Sequence, residues 1–345
     1  MEILIVAGLV IGILLGIILI YLTVVIFFPG FHVPSQPLQA TETKITDPPG
    51  SRKDISFQVN GVDIKGWLYL PKEQPGPVPC IVMNTGLGGT KDMILEKYAL
   101  RCQNAGVAAL TFDYRHFGES DGEPRQLFVV KRQLEDCRGA IEFARGLDEI
   151  DANRIGIWGT SAGGGYGLAL AAENENIKCV AAQVTGFDSG EAIKTMIQRE
   201  GMGYFLRLFM HAQRDRGRGR LGLSPHTIPI VGKPGTLAVL SAPGAFNGYA
   251  KLAPPGFVNE LCARSLLMSG GYNPMDFVGD IRCPVLIQVG EKDNLVPPDS
   301  AHKVTELLGE RAELHEYPIG HFEIYEGEYF ERSVDIQVSF FQKHL

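Results

Sequence analysis

Gly156-Ile157-Trp158-Gly159-Thr160-Ser161-Ala162-Gly163-Gly164 is the stretch whose reading decides the fold. It contains G-x-S-x-G. An apolar, strand-like run ends in it, and a helical pattern over 162–172 starts in it. A tight strand-to-helix turn strains the serine and lifts its hydroxyl above a sheet, and small flanking residues are needed to avoid clashes. The helix N-terminus then offers free N–H groups and positive dipole to a developing oxyanion. In this context Ser161 is the candidate nucleophile rather than one residue of a structural glycine turn.

A serine hydroxyl needs a base. The order Ser, acid, His places both partners downstream. His321 stands in Tyr317-Pro318-Ile319-Gly320-His321-Phe322-Glu323, after a strand-like segment at 312–317 and before a closing helical segment at 332–344. It is the candidate base; His116 and His226 are weaker rivals, and His344 sits at the tail. The acid that holds the histidine tautomer is assigned to Asp293. It follows the run PVLIQVG in the turn Gly290-Glu291-Lys292-Asp293-Asn294, 28 residues before His321. Asp188 and Glu291 are its rivals. An oxyanion hole needs two backbone N–H donors. One is Ala162, the residue after the nucleophile. The other comes from the loop Thr85-Gly86-Leu87-Gly88-Gly89, with Leu87 taken as donor and the glycines letting the loop turn close to substrate.

Outward from this site the chain alternates. DISFQV and DIKGWLYL read as an antiparallel pair around a turn at Gly61-Val62. CIVMNT, VAALTFDY, RIGIWG, CVAAQVT and PVLIQVG read as strands buried on both faces. Helical patterns lie between them at 92–103, 130–145, 162–172 and 300–308. Strand–helix alternation implies an α/β fold with a mostly parallel sheet covered on both sides. Residues 187–280 break the rhythm with helix-like pieces, Gly/Pro-rich coil and no clear strand. So large an insertion exceeds a connection and is read as a lid. Its apolar residues Met196, Ile197, Tyr204, Phe205, Leu208, Phe209 and Met210 either line an acyl pocket or pack the lid itself. Its basic segment, with Arg214, Arg216, Arg218 and Arg220, is read first as a solvated, mobile loop and second as an anion-recognising or membrane-facing patch.

Residues 3–28 carry no charge. At about 1.5 Å per residue such a helix crosses a hydrocarbon core of about 30 Å. A cleavable signal peptide is the rival, but the flank Met1-Glu2 lacks a basic residue. The reading is a retained single-pass membrane anchor over 1–28, a polar, Pro-rich linker over 29–53, and a soluble domain over 54–345. Positive charge near the helix end is sparse, with Lys44 alone close by, and it favours a cytoplasmic domain. Gly8, Gly12 and Gly16 form a small-residue face on which two such helices can pair as a homodimer, although glycine is also common in membrane helices.

The 345 residues hold 32 Lys+Arg and 39 Asp+Glu, a net charge of −7, with 45% apolar residues. That excludes a disordered chain and a basic nucleic-acid binder. Cys80, Cys102, Cys137, Cys179, Cys262 and Cys283 show no paired or metal-ligand spacing and read as buried free thiols.

From about Asp54 to Leu345 the chain resembles the α/β-hydrolases. The resemblance is carried by GWLYLP at 66–71, FDYRHFGESDGEPRQ at 112–126, GIWGTSAGG at 156–164, VGEKDNLVPP at 289–298 and PIGHFEIYEGEYFE at 318–331. It is closest in kind to the dienelactone-hydrolase-like and Xaa-Pro-dipeptidyl-peptidase-like branch, near the fungal polyketide-tailoring acyltransferases. The resemblance implies an eight-stranded sheet flanked by helices, and the triad Ser161, Asp293 and His321. Thr85-Gly86 stands where the family usually has His-Gly. The expected activity is hydrolysis of a small-molecule carboxylic ester by a membrane-anchored serine hydrolase, with no cofactor or metal. Acyl transfer or thioester cleavage on the same triad is the alternative. A catalytically silent ligand-binding protein is the reading of another class.

Overall fold

After residue 52, apolar residues alternate and the chain folds back on itself. Strands β1 (Arg52–Val59) and β2 (Val62–Tyr69) pair antiparallel, with Val59 opposite Val62. The turn is Asn60-Gly61, one residue before the expected position. Both residues have positive φ, which a two-residue hairpin turn requires and which Asn and Gly tolerate. The computed structural model describes residues 2–27, 32–38, 52–72 and 75–345.

The remaining strands are β3 (Val78–Asn84), β4 (Ala108–Phe112), β5 (Ile150–Thr160), β6 (Ile177–Gln183), two short strands β7 (Thr227–Ile228) and β8 (Leu261–Cys262), then β9 (Val285–Gly290) and β10 (Ala312–Tyr317). One eight-stranded sheet runs β1-β2-β4-β3-β5-β6-β9-β10. Its first two pairings are antiparallel and the rest parallel. Ile81, Val82, Ile157, Val180 and Ile287 are fully buried, as strands covered on both faces require.

The helices are α1 (Glu2–Ile20), α2 (Leu95–Asn104), α3 (Val130–Arg145), α4 (Ala162–Glu173), α5 (Ser189–Glu200), α6 (Met202–Arg220), α7 (Ala245–Leu252), α8 (Ser265–Met268), α9 (Asp299–Leu308) and α10 (Gly327–His344). Helix α3 has the bounds expected. Helix α2 starts three residues later than expected, after a turn over 91–94 that opens on Lys91. Its Nζ lies 2.7 Å from Asp113 Oδ2 and 2.6 Å from Glu119 Oε2, and its N–H donates to Asp113 Oδ1. Helix α10 starts five residues earlier, where Phe330 packs edge-on against Tyr98. A buried amide network pins it to the sheet. Trp158 Nε1 donates to Gln337 Oε1, and Gln337 Nε2 donates to Gln183 and Gln288.

Residues 187–280 form the insertion, and two readings of it change. It does contain strands: β7 and β8 pair antiparallel. The basic segment is no loop but the last two turns of α6, with Arg214, Asp215 and Gly217 buried. Burying Asp215 is made possible by backbone N–H donors, from His226 and Arg264, to its two oxygens.

Helix α1 continues as a wider π-helical turn, Tyr21–Ile26. The stretch Ile5–Val24, spanning both, is apolar enough and long enough to cross a membrane, and its side chains from Ile5 to Ile20 are exposed. Gly8, Gly12 and Gly16 lie open on it. The linker reading over 29–53 falls mostly outside the described residues. Within it, Ser35 Oγ donates to the Asn259 carbonyl, and Asn259 Nδ2 donates to the Gln36 carbonyl. Arg52 and Lys53, placed in the linker from sequence, belong to β1. All six cysteines are free and buried. Burial pushes their thiols up, Cys283 to about 11, so none is a ready thiolate.

Candidate active site

Strand β5 ends at Thr160 and α4 starts at Ala162, so the turn between them is Ser161 alone. Its backbone sits at φ 53°, ψ −123°, a conformation an L-residue holds only under constraint. The glycines around it explain how the turn fits. A Cβ on Gly159 would lie 2.2 Å from the Gly163 carbonyl oxygen. One on Gly163 would lie 2.5 Å from the carbonyl oxygens of Asn84 and Thr85. Both glycines of G-x-S-x-G are therefore sterically required. Ala162 opens α4, so its N–H has no acceptor within the helix.

The loop after β3 runs beside the serine. A Cβ on Gly86 would meet Ser161 Cβ at 3.0 Å. Thr85 Oγ1 donates to the Gly89 carbonyl and ties the loop closed. That bond gives the Thr85 side chain an anchoring contact at the position where the family usually has histidine. Leu87 lines the space in front of Ser161.

The loops after β9 and β10 carry the other two residues, and they are laced together. Glu291 N–H donates to the Tyr317 carbonyl and Lys292 N–H to the Ile319 carbonyl. Asp293 Oδ1 accepts the N–H groups of Leu295 and Val296 at 2.8 and 2.9 Å. Its Oδ2 lies 2.6 Å from His321 Nδ1. An ionised carboxylate only accepts, so Nδ1 carries the proton and Nε2 is left with its lone pair. Asp293 and His321 are 6% and 7% exposed, so water competes little for this bond. Of the rivals, Asp188 caps α5 through Gly190 and Glu191, and Glu291 is exposed. His116 lies beside Arg132, and His226 is stacked on His211.

Ser161 and His321 line one small cavity of about 50 Å³. Its walls are apolar: Met93, Ile94, Leu240, Leu252, Phe322 and the ring of Tyr249. None of the seven apolar residues singled out from sequence lines it. Tyr204 and Leu208 pack the insertion's own small core, and Phe209 and Met210 point outward. The insertion reaches the site instead through α7, whose Tyr249 hydroxyl donates to the Leu87 carbonyl. Tyr325 lies behind the cavity, hydrogen bonded to Thr160. Sequence reading missed Tyr249 and Leu252, which belong to no motif that points to the site, and Tyr325, which stands in the stretch around His321 but carries no signal of its own. On the outer side of His321 lies a groove of about 580 Å³, lined by Asn247, Lys251, Lys292 and Glu323. Among the described residues no three His, Cys, Asp or Glu side chains gather as a metal site.

A family model described as X-Pro dipeptidyl-peptidase (S15 family) matches residues 60–209. The quorum-quenching protein AidA of Acinetobacter baumannii is 39% identical over 300 residues, covering 86% of this chain and 96% of its own. The crystal structure of the α/β hydrolase GrgF from Penicillium sp. sh18 superposes with a TM-score of 0.71 at 24% identity, covering 85% of this chain and 98% of its own. The chain belongs to the α/β-hydrolase superfamily. Another relative of this hydrolase is the polyketide transferase ATR5 of Stachybotrys chlorohalonatus, 28% identical over 86% of this chain and 98% of its own.

Proposed function

We propose that this protein is a membrane-anchored serine hydrolase that cleaves a carboxylic ester through an acyl-enzyme on Ser161. One observation carries the reading. A strained serine at a strand-to-helix turn shares a small cavity with a histidine whose Nδ1 is 2.6 Å from a buried carboxylate. Ser161 Oγ attacks the ester carbonyl and its proton passes to His321 Nε2. Asp293 stabilises the imidazolium so formed. The N–H groups of Leu87 and Ala162 receive the oxyanion. Collapse expels the alkoxide, which takes the proton from Nε2. Water, deprotonated by His321, then releases the acid. Nothing in these steps needs a metal or cofactor.

The cavity of about 50 Å³ accepts a short acyl chain without displacing Tyr249 or Leu252. Esters of two- to four-carbon acids are therefore the expected substrates, and decanoyl esters should be poor ones. The apolar helix, with a mean hydropathy of 3.0 over Ile5–Val24, is the proposed anchor. A domain facing the cytoplasm agrees with six free cysteines.

Labelling the detergent-solubilised protein with a fluorophosphonate tests the chemistry. Wild type should label and Ser161→Ala should not. A well-folded wild type that stays unlabelled defeats the proposal. Acyl transfer to an acceptor other than water is the second reading, favoured by similarity to a polyketide transferase. Added alcohol or amine that diverts most of the acyl group from the free acid would select it.

A further inference from the structure

The basic end of α6 is built around two contacts, and its glycines reveal them. A Cβ on Gly217 would lie 2.6 Å from Ile26 Cδ1, so this glycine seats the end of the apolar N-terminal helix. There Ile26 is 1% exposed, Tyr21 donates its hydroxyl to the Gln213 carbonyl at 2.8 Å, and Arg218 Nη1 reaches the Ile26 carbonyl at 3.3 Å. A Cβ on Gly219 would lie 1.8 Å from Arg264 Nη1, so this glycine admits the Arg264 guanidinium.

Beside that seat opens a pocket of about 500 Å³ lined by Arg132, Arg216, Arg220 and Arg264. Among the described residues its only carboxylate is that of Glu123, which accepts the Arg125 N–H at 3.1 Å. Arg264 is drawn toward the buried Asp215, with Nε 3.6 Å from Oδ2. Arg132 lies 3.0 Å from the ring nitrogen of His116. Burial and the arginines around it hold that imidazole neutral down to about pH 4, so it adds nothing to cancel or compete with the arginine charge. Four guanidinium groups against two carboxylates, Glu123 in the wall and Asp215 behind Arg264, leave the pocket with an excess of positive charge, and guanidinium forks suit phosphate oxygens.

The surroundings identify the source of the anion. On α6, Met202, Leu206, Phe209 and Met210 are 41–53% exposed and share one face at helical spacing. That face continues into the turn that holds Tyr21 and Ile26. A helix with an outward apolar stripe and terminal arginines is the pattern of one lying in a bilayer interface.

We propose that the pocket of Arg132, Arg216, Arg220 and Arg264 binds the phosphate headgroup of an anionic lipid beside the docked end of the N-terminal helix. This rests on the reading of that helix as a membrane anchor. The test titrates the full chain in detergent with dioctanoyl phosphatidic acid, dioctanoyl phosphatidylcholine and inorganic phosphate. Phosphatidic acid should bind about tenfold or more tighter than either of the others. Arg216→Gln with Arg220→Gln should erase that preference and leave hydrolysis of a soluble ester within about twofold. Both side chains are exposed, so the variant should fold, and each single variant should give part of the loss. Equal binding of the two lipids, an unchanged preference in the double variant, or inorganic phosphate binding as tightly as the lipid would each overturn the proposal. Release of wild type from membranes by alkaline carbonate would defeat the anchor alone, and the detergent titration would still decide the pocket.

Discussion

The two halves of the insertion differ in what they face. The first, α5 and α6, turns large apolar residues outward and seats the end of the N-terminal helix. The second, reaching α7, turns Leu240, Tyr249 and Leu252 inward against Ser161 and His321. Apolar content alone does not distinguish them. What separates them is the surface each meets: the first half touches the end of the apolar N-terminal helix and open space, the second touches the loop that faces the nucleophile. Position along an insertion therefore says little about which part shapes the substrate.

The sharpest ways to break this division begin at the site. Ser161→Ala should lower ester turnover by about 10³- to 10⁶-fold with the fold intact, since removing a triad member is that costly. Hydrolysis of p-nitrophenyl butyrate by the purified variant measures it. Asp293→Asn should cost about 10³- to 10⁴-fold, because it leaves His321 without the acceptor that fixes its tautomer. Tyr249→Phe removes one donor to the Leu87 carbonyl. A hydrogen bond of about 0.5–1.5 kcal/mol predicts a loss of about 2- to 10-fold in kcat/KM. An unchanged kcat/KM would detach α7 from the chemistry.

Acid stability probes the other half. Burial lowers the pKa of His226 to about 3 and lowers that of His211. A histidine with a depressed folded pKa contributes stability that is present above its unfolded pKa, about 6.5, and is lost as pH falls through the folded value. Wild type should therefore lose more Tm between pH 7 and pH 4 than His226→Gln does. Equal losses by scanning calorimetry would show that the pair is not held neutral. The smallest effect is the most discriminating. Leu206→Gln with Phe209→Gln should change hydrolysis of a soluble ester by less than about twofold, whereas Leu252→Ala should shift preference toward longer acyl chains. If the α6 pair altered acyl-chain preference instead, the division would fail.

Local signals carried much of the fold. Helix α3 and the buried parallel strands follow from hydrophobic period alone, and G-x-S-x-G announces its turn because two steric requirements sit within five residues. Chain order pointed to Asp293 and His321, and the structure brings these two side chains to 2.6 Å of each other. The start of α2 was placed three residues early, since residues 92–94 belong to a turn in which the Met93 N–H bonds to the Thr90 carbonyl. The basic segment was misread as a loop because a run of charge is usually solvated. In the fold each of its glycines clears room for a side chain from elsewhere, Ile26 at Gly217 and Arg264 at Gly219.

By itself the sequence determined the strand–helix alternation, the elbow at Ser161 and the apolar N-terminal helix. These depend on neighbours a few residues apart, whose spacing is visible in one dimension. Only the tertiary structure decided which residues enclose the serine and what the end of α6 touches. Tyr249 meets Leu87 across 162 residues, and Tyr21 meets Gln213 across 192. Contacts so distant depend on the packing of whole elements, and no local pattern encodes them.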